Sequence, residues 1–381
     1  YPDRAKALLA AHKKFLVSRL ADVLLVTGFI LIAQALGSAD IATITERLQA
    51  GTAAGAPGLE VAAVLIVLAA ALKSAQLPFH GWLIQVMEAP TPVSALLHAG
   101  VVNMGGYLLI RLSPVLEATQ FAVWLLLAIA LTTVVIASLV MMTRISIKVM
   151  LAWSTTAQMG FMLLECALGL YHLALVHLVA HSFYKAHTFL SSGQAPMQSL
   201  IRRGSDESSR PGANNWLLAL ATGLGLFVVA HLLVGKPITV ATLLTGVVLV
   251  TAVASLLAEY GAALGGAGWR KALAGSLAIT GAYLLAEQLF TGLAPYVAMP
   301  PSSVAFVLTA VVLALLLVAR AHIMHRPQAR VWQRARPLLF NGLYLDEAFT
   351  RITFTLWPPK PRARSEQPEP APIYPDEGVS S

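Results

Sequence analysis

Uninterrupted apolar runs are the feature that leaves this chain the least freedom. They recur near residues 15–36, 59–87, 92–112, 121–142, 147–167, 171–192, 215–234, 238–258, 270–290 and 302–323, about ten in all. Each is long enough to cross a hydrocarbon core about 30 Å thick. Inside lipid, every backbone N–H and C=O must be satisfied by the chain itself, which a helix does within one segment. The expected fold class is therefore an all-α polytopic membrane protein. Composition agrees, because only 12% of residues are charged, about half of what a soluble domain needs on its surface. A lone cysteine, Cys166, excludes both an intramolecular disulfide framework and a cysteine-based zinc site.

The net charge of +8 is a topology signal and not a nucleic-acid footprint, because Lys and Arg flank the apolar spans. With the N-terminal side cytoplasmic, alternate connections collect fifteen basic residues, from Arg4, Lys6, Lys13 and Lys14 through Arg144, Lys148, Arg202, Arg203, Arg210, Arg270 and Lys271 to Arg326, Arg330, Arg334 and Arg336. The opposite face holds three, Arg47, Arg111 and Lys236. This asymmetry puts both ends of the chain on the cytoplasmic face of a bacterial inner membrane. Residues 1–14 read as a basic cytoplasmic lead-in, 15–195 as the core bundle, 196–214 as a polar linker and 215–323 as further membrane helices. Residues 324–357 suit a cytoplasmic docking segment, and 358–381 a Pro-rich tail that is extended or ordered by a partner. With no initiator Met or signal peptide, the chain is expected to start part-way through a longer protein.

The second span, 59–87, is too long for one straight crossing and contains Pro78. A proline removes a helix hydrogen bond and opens a bend, so a broken helix is expected here. Ionisable residues at membrane depth are costly, about 2.5–3.5 kcal/mol each on insertion scales, and are functional candidates by default. Lys73 lies five residues before Pro78. Asp22 follows Arg19 by three, close enough to pair on one helix face. His98 opens the third span, and Lys148 begins the fifth, where its side chain is also placed to snorkel. His177, His181 and Lys185 recur at intervals of four and share one stripe of the sixth. Glu165, His172 and His187 lie near span ends, where an interfacial place is the simpler reading. Histidine exchanges protons near neutrality and desolvation weakens a buried lysine's hold on its own, so such a set suits proton relay. The His177–His181 spacing also suits zinc, but the next residue on the stripe is Lys185 and no acidic ligand completes the set.

The stretch Lys73-Ser-Ala-Gln-Leu-Pro78-Phe-His-Gly-Trp82, continued by Met87-Glu-Ala-Pro-Thr-Pro-Val-Ser-Ala-Leu-Leu-His98-Ala-Gly100, resembles the core signature of the antiporter-like subunits of respiratory complex I, closest to the L-subunit branch. The stretches Ile147–Gly160 and His177–Gly193 are similar to the same pattern, which covers residues 13–195. The resemblance implies that Lys73 is the central lysine of a broken helix. His98, Lys148, His177, His181 and Lys185 then continue a polar axis, and Asp22 takes the acidic position on the preceding helix. It places the usual acidic partner of the central lysine before Tyr1.

The second half lacks a comparable buried lysine, and 324–381 is too short and polar for the lateral helix of those subunits. Phe79-His-Gly-Trp82, Glu88-Ala-Pro90, His98-Ala-Gly100, His181–Lys185 and Asn341-Gly-Leu-Tyr-Leu-Asp-Glu347 are instead similar to the DabB family, the membrane subunits of bacterial inorganic-carbon accumulation complexes. That resemblance implies a flux of H⁺ or Na⁺ that energises a soluble DabA-like partner, a zinc protein of carbonic-anhydrase type. The zinc would belong to the partner, with no cofactor in this chain. The alternatives are an L-type quinone-oxidoreductase subunit, a multisubunit Na⁺/H⁺ antiporter (Mrp) subunit and, in another class, a passive membrane anchor.

Overall fold

The computed structural model describes residues 4–51, 55–194, 213–235, 240–291, 302–326 and 328–360. Among them there are helices, turns and no strand. Helix α1, Ala5–Leu36, is a single element that absorbs the expected lead-in and stops at Gly37, whose φ of 65° places it in the left-handed region where glycine is favoured. A short α2, Ile41–Gln49, is capped by Asp40, which accepts from the Thr43 amide at 2.9 Å.

α3, Leu59–Lys73, lies along α1 and is followed by the expected break. Helix resumes as α4, Gly81–Gln85, and a tight turn over Val86–Glu88 follows. Pro78 has no N–H to donate, and Ala75 takes a φ of 52°. The freed backbone groups find partners inside the protein: the Leu77 amide donates to Thr133 Oγ1 at 3.3 Å, and the Gln76 amide to the Ala71 carbonyl at 2.9 Å.

The third span holds a second break that the sequence reading did not anticipate. It divides into α5, Thr91–Ala99, and α6, Met104–Arg111, around a tight turn at Val101–Asn103. A short α7, Ser113–Glu117, leads to three long helices, α8 (Gln120–Met141), α9 (Ile147–Ala167) and α10 (Tyr171–Ser191). α8 and α9 form a hairpin, while α10 packs on α9 and α5. Fully buried Ile66, Val67, Leu109, Leu126, Met159, Met162 and Leu163 knit α3, α6, α8 and α9 into the main core.

Beyond the core, α11 (Ala213–Val234) packs on α12 (Val240–Thr291), followed by α13 (Ser303–His325). Here the expected span count is corrected. The spans expected at 238–258 and 270–290 are one helix of 52 residues, about 78 Å long at 1.5 Å per residue. No proline interrupts it, so nothing removes a backbone donor, and Arg270 and Lys271 lie within the helix and not in a loop. Among the described residues, five helical segments are long and apolar enough to cross a membrane. Their burial differs: 56% of the α5–α6 window is inside the protein, against 17% for α11 and for α13. The latter pair presents Leu217, Leu232, Leu233 and Leu315 outward, as helices facing lipid do.

The segment expected to dock a partner is helical and packs one face on this chain. α14 (Arg330–Phe340) and α15 (Leu345–Leu356) fold back on this chain's own bundle, burying Leu339, Gly342 and Thr353. Gly342, at φ 63°, lies against the Trp153 ring, and the Arg144 guanidinium sits over that ring and over Phe340. Only the outer face, with Val331, Ile352 and Leu356, is left for anything else. Most of linker 196–214 and of tail 358–381 lies outside the described residues, as do Arg202, Arg203, Arg210 and Lys236.

Candidate functional site

Lys73 ends α3 where the break begins, so its side chain leaves the helix at that break. Its Nζ donates to Asp22 Oδ1 at 2.7 Å, and Arg19 donates to Asp22 Oδ2 at 2.8 Å. One carboxylate thus serves two cations on neighbouring helices. The Arg19–Asp22 pairing read from their spacing is present. In this structure the carboxylate in contact with Lys73 is that of Asp22.

The stripe on α10 forms a second polar group. His177 places Nδ1 3.0 Å from Glu165 Oε2 and Nε2 2.9 Å from Gln158 Oε1, both on α9. One turn on, His181 stands 6.0 Å from His177 between ring centres and donates from Nε2 to the His98 carbonyl at 3.2 Å. His98 itself is fully buried, stacked on Phe189 at 4.4 Å, with neither ring nitrogen hydrogen-bonded. Buried polar atoms are nearly always paired, so two unpaired nitrogens in one ring mark a place suited to a transient proton or water. The row ends at Lys185, 0% exposed, whose Nζ donates to Ser154 Oγ at 2.7 Å and approaches the Leu151 carbonyl at 3.4 Å.

No hydrogen bond or ion pair among the described residues joins the two groups. α6 stands between them with adjacent glycines: Gly105 lies against the Ala70 carbonyl and Ser74 of α3, and Gly106 against Met162 of α9. Lys148 is half-buried at the start of α9 and has no hydrogen bond or ion pair among the described residues. Glu88 lies in the turn after α4, and its side chain is outside the described set. His187 is exposed at the end of α10, as an interfacial residue would be. Glu165 departs from that expectation, being buried at 9% and committed to His177.

Sequence reasoning missed a third polar group. Lys13 is 0% exposed, and its Nζ donates to Asp346 Oδ2 at 2.7 Å and to Thr350 Oγ1 at 2.6 Å. Gln85 of α4 donates to the same carboxylate oxygen at 2.8 Å. Lys13 had been counted as a topology charge and Asp346 as part of a tail motif. The available signal was Asp346 itself, an acid within a strongly patterned Asn341–Glu347 motif. Among the described residues, no group of three His, Cys, Asp or Glu side chains is placed to hold a metal ion.

Broken helices with paired and unpaired ionisable side chains inside an apolar bundle define a membrane subunit of the ion-translocating, antiporter-like class. Residues 1–205 match the membrane family described as NADH:quinone oxidoreductase/Mrp antiporter, and the chain belongs to that family. It is similar to a probable inorganic carbon transporter subunit, DabB2, of Halothiobacillus neapolitanus, with 42% identity over 376 residues covering 94% of this chain and 67% of the relative. A probable DabB subunit of Hydrogenovibrio crunogenus is 48% identical over 61% of this chain and 45% of its own length. The NAD(P)H-quinone oxidoreductase chain 5 of Synechocystis is 37% identical over 50% of this chain and 29% of its own. The chain thus spans about two thirds of the first of these relatives and less than half of the other two.

Proposed function

We propose that this chain is the cation-conducting membrane subunit of an inorganic-carbon accumulation complex. In this reading, a flux of H⁺ or Na⁺ through it energises CO₂ hydration in a soluble, DabA-like zinc partner on the cytoplasmic face of a bacterial inner membrane. The observation that carries the reading is the set Glu165, His177, His181, His98 and Lys185, in which His98, His181 and Lys185 are buried and only His177 has an acidic partner in contact among the described residues. Such a row is costly to insert into lipid, which favours conduction over a passive anchor. In the α10 row, the proton moves between His177, His181 and Lys185, with Ser154 and the His98 ring as intermediate partners. Lys73, held by Asp22 beside the break, forms the second station of the path, and Lys148 lies toward one end. Similarity to the two carbon-transporter subunits over most or much of this chain supports the accumulation complex over an L-type subunit.

The test is replacement in the intact complex. Lys73→Ala and Lys185→Ala are expected to abolish rescue of CO₂-dependent growth while the protein still assembles in the membrane. Full rescue by both variants would leave only an anchor. NADH- or ferredoxin-dependent quinone reduction that requires this chain would move it to the respiratory branch.

A further inference from the structure

On the other side of the Pro78 break from Lys73, the returning C-terminal segment inserts one acidic residue. Asp346, at the start of α15, holds Lys13 through Oδ2, while its Oδ1 is buried with no hydrogen bond. That carboxylate lies so close to Gly81 that a Cβ there would overlap it. The groups facing Asp346 come from four directions: Lys13 on α1, Gln85 on α4, Thr350 on its own helix, and His80 in the break. His80 is 2% exposed and donates from Nδ1 to the Pro78 carbonyl at 3.2 Å. It also lies within electrostatic reach of Asp346, Lys13 and Arg144. Lys14, next to Lys13, is within the same reach of Lys73 and Asp22.

We propose that the Lys13–Asp346 pair is a further proton-exchanging station of the cation path, supplied in part by the C-terminal helix pair. The argument rests on the conduction reading above and adds a site to it. A proton arriving on Asp346 Oδ1 neutralises the carboxylate and leaves the Lys13 ammonium without its counter-charge. Lys13 then releases a proton from Nζ by way of Thr350 Oγ1, its other hydrogen-bond partner, to water. The neutral carboxyl turns so that its protonated oxygen faces Nζ, and that proton crosses to the free amine over the 2.7 Å contact. One proton has entered at Oδ1, one has left from Nζ, and the ion pair is restored. Because Asp346 arrives from α15, displacement of α14–α15 would break the station, which places the tail in a position to control flux.

The experiment uses the assembled complex in inverted membrane vesicles, with cation-driven pH change as the readout. Lys13→Gln/Asp346→Asn removes both charges together, so no lone buried charge remains to unfold the protein. Docking of the tail is read separately by cross-linking His12→Cys with Trp357→Cys, whose rings stack at 4.0 Å. The expected result is at least a tenfold loss of flux with cross-linking intact. Wild-type flux in the double variant overturns the station, as does loss of flux together with cross-linking, because the pair would then be only a latch. Lys73→Ala runs alongside. If it abolishes flux and the double variant does not, the station alone falls. If Lys73→Ala also leaves flux untouched, the conduction reading falls first.

Discussion

Lys73 and Lys185 are the same residue type in one bundle, and they are held in opposite ways. Lys73 sits at a helix break, 21% exposed, against the Asp22 carboxylate. Lys185 sits inside a continuous helix, fully buried, and meets only a hydroxyl and a carbonyl. The first charge is balanced by another charge and the second by dipoles alone. Dipoles compensate a buried charge less completely than an ion does, so Lys185 can change its proton count without stranding a counter-ion. Lys73 cannot do so without leaving Asp22 to Arg19. In the proposed path, Lys185 would then be a transfer site held by dipoles and Lys73 a station held by its carboxylate partner.

The comparison requires the two sites to stay apart, and α6 keeps them so. A Cβ at Gly105 would overlap the Ala70 carbonyl oxygen, which is backbone and cannot turn away. At Gly106 the obstacle is Met162 Sδ, the end of a flexible side chain. Gly105→Ala is therefore expected to cost about 1–3 kcal/mol, the usual range for overpacking, and Gly106→Ala less than about 1 kcal/mol. Unfolding midpoints in detergent would measure both. Equal costs would mean that α6 can shift bodily, and the wall between the sites would be soft.

A second experiment separates charge balance from dipole balance. Asp22→Asn leaves Lys73 beside Arg19 without a carboxylate. A fully buried pair broken in this way loses about 3–5 kcal/mol, and the 36% exposure of Asp22 reduces the expectation to about 1–2 kcal/mol. Lys185→Met strands no ion and keeps the side-chain length, so stability should change by less than about 1 kcal/mol in either direction. A large loss for Lys185→Met would show that the lysine holds the fold together, against the role given to it here.

What could be read from the sequence followed the range over which the signal acts. The Pro78 break, the Arg19–Asp22 pair and the 177/181/185 stripe are governed by spacings of a few residues, and all three are present as expected. The Lys73–Asp22 contact spans 51 positions and the Lys13–Asp346 contact 333, beyond the reach of any periodicity. The break at Gly100 went unseen because Val101-Val102-Asn103 continues an apolar run and no proline marks it. The opposite error came at Arg270 and Lys271. Two adjacent charges read as a loop, yet a stretch without proline lets the helix continue through them. Glu165 was misplaced because position along a span says nothing of what the neighbouring helix presents.

The smallest effect tests whether dipoles suffice where water helps. Asp40, outside the membrane helices, has no ion partner in contact and caps α2 by accepting from both the amide and the hydroxyl of Thr43 at 2.9 Å. The Thr43 amide first, then its hydroxyl, holds this carboxyl below its ordinary value. A group whose pKa is depressed by folding contributes stability above its unfolded pKa, about 3.9 for Asp, and loses it as pH falls through the folded value. Protection of the first-turn amides of α2, taken relative to intrinsic exchange at each pH, should therefore hold from neutrality down past about pH 4 and fall only below. Asp40→Ala should show little protection there at any pH. If the first turn of the unaltered protein frays already near pH 5, the dipoles of Thr43 are not holding the carboxylate. The argument that a hydroxyl and a carbonyl can balance the charge of Lys185, in a far less forgiving place, would then lose its simplest precedent.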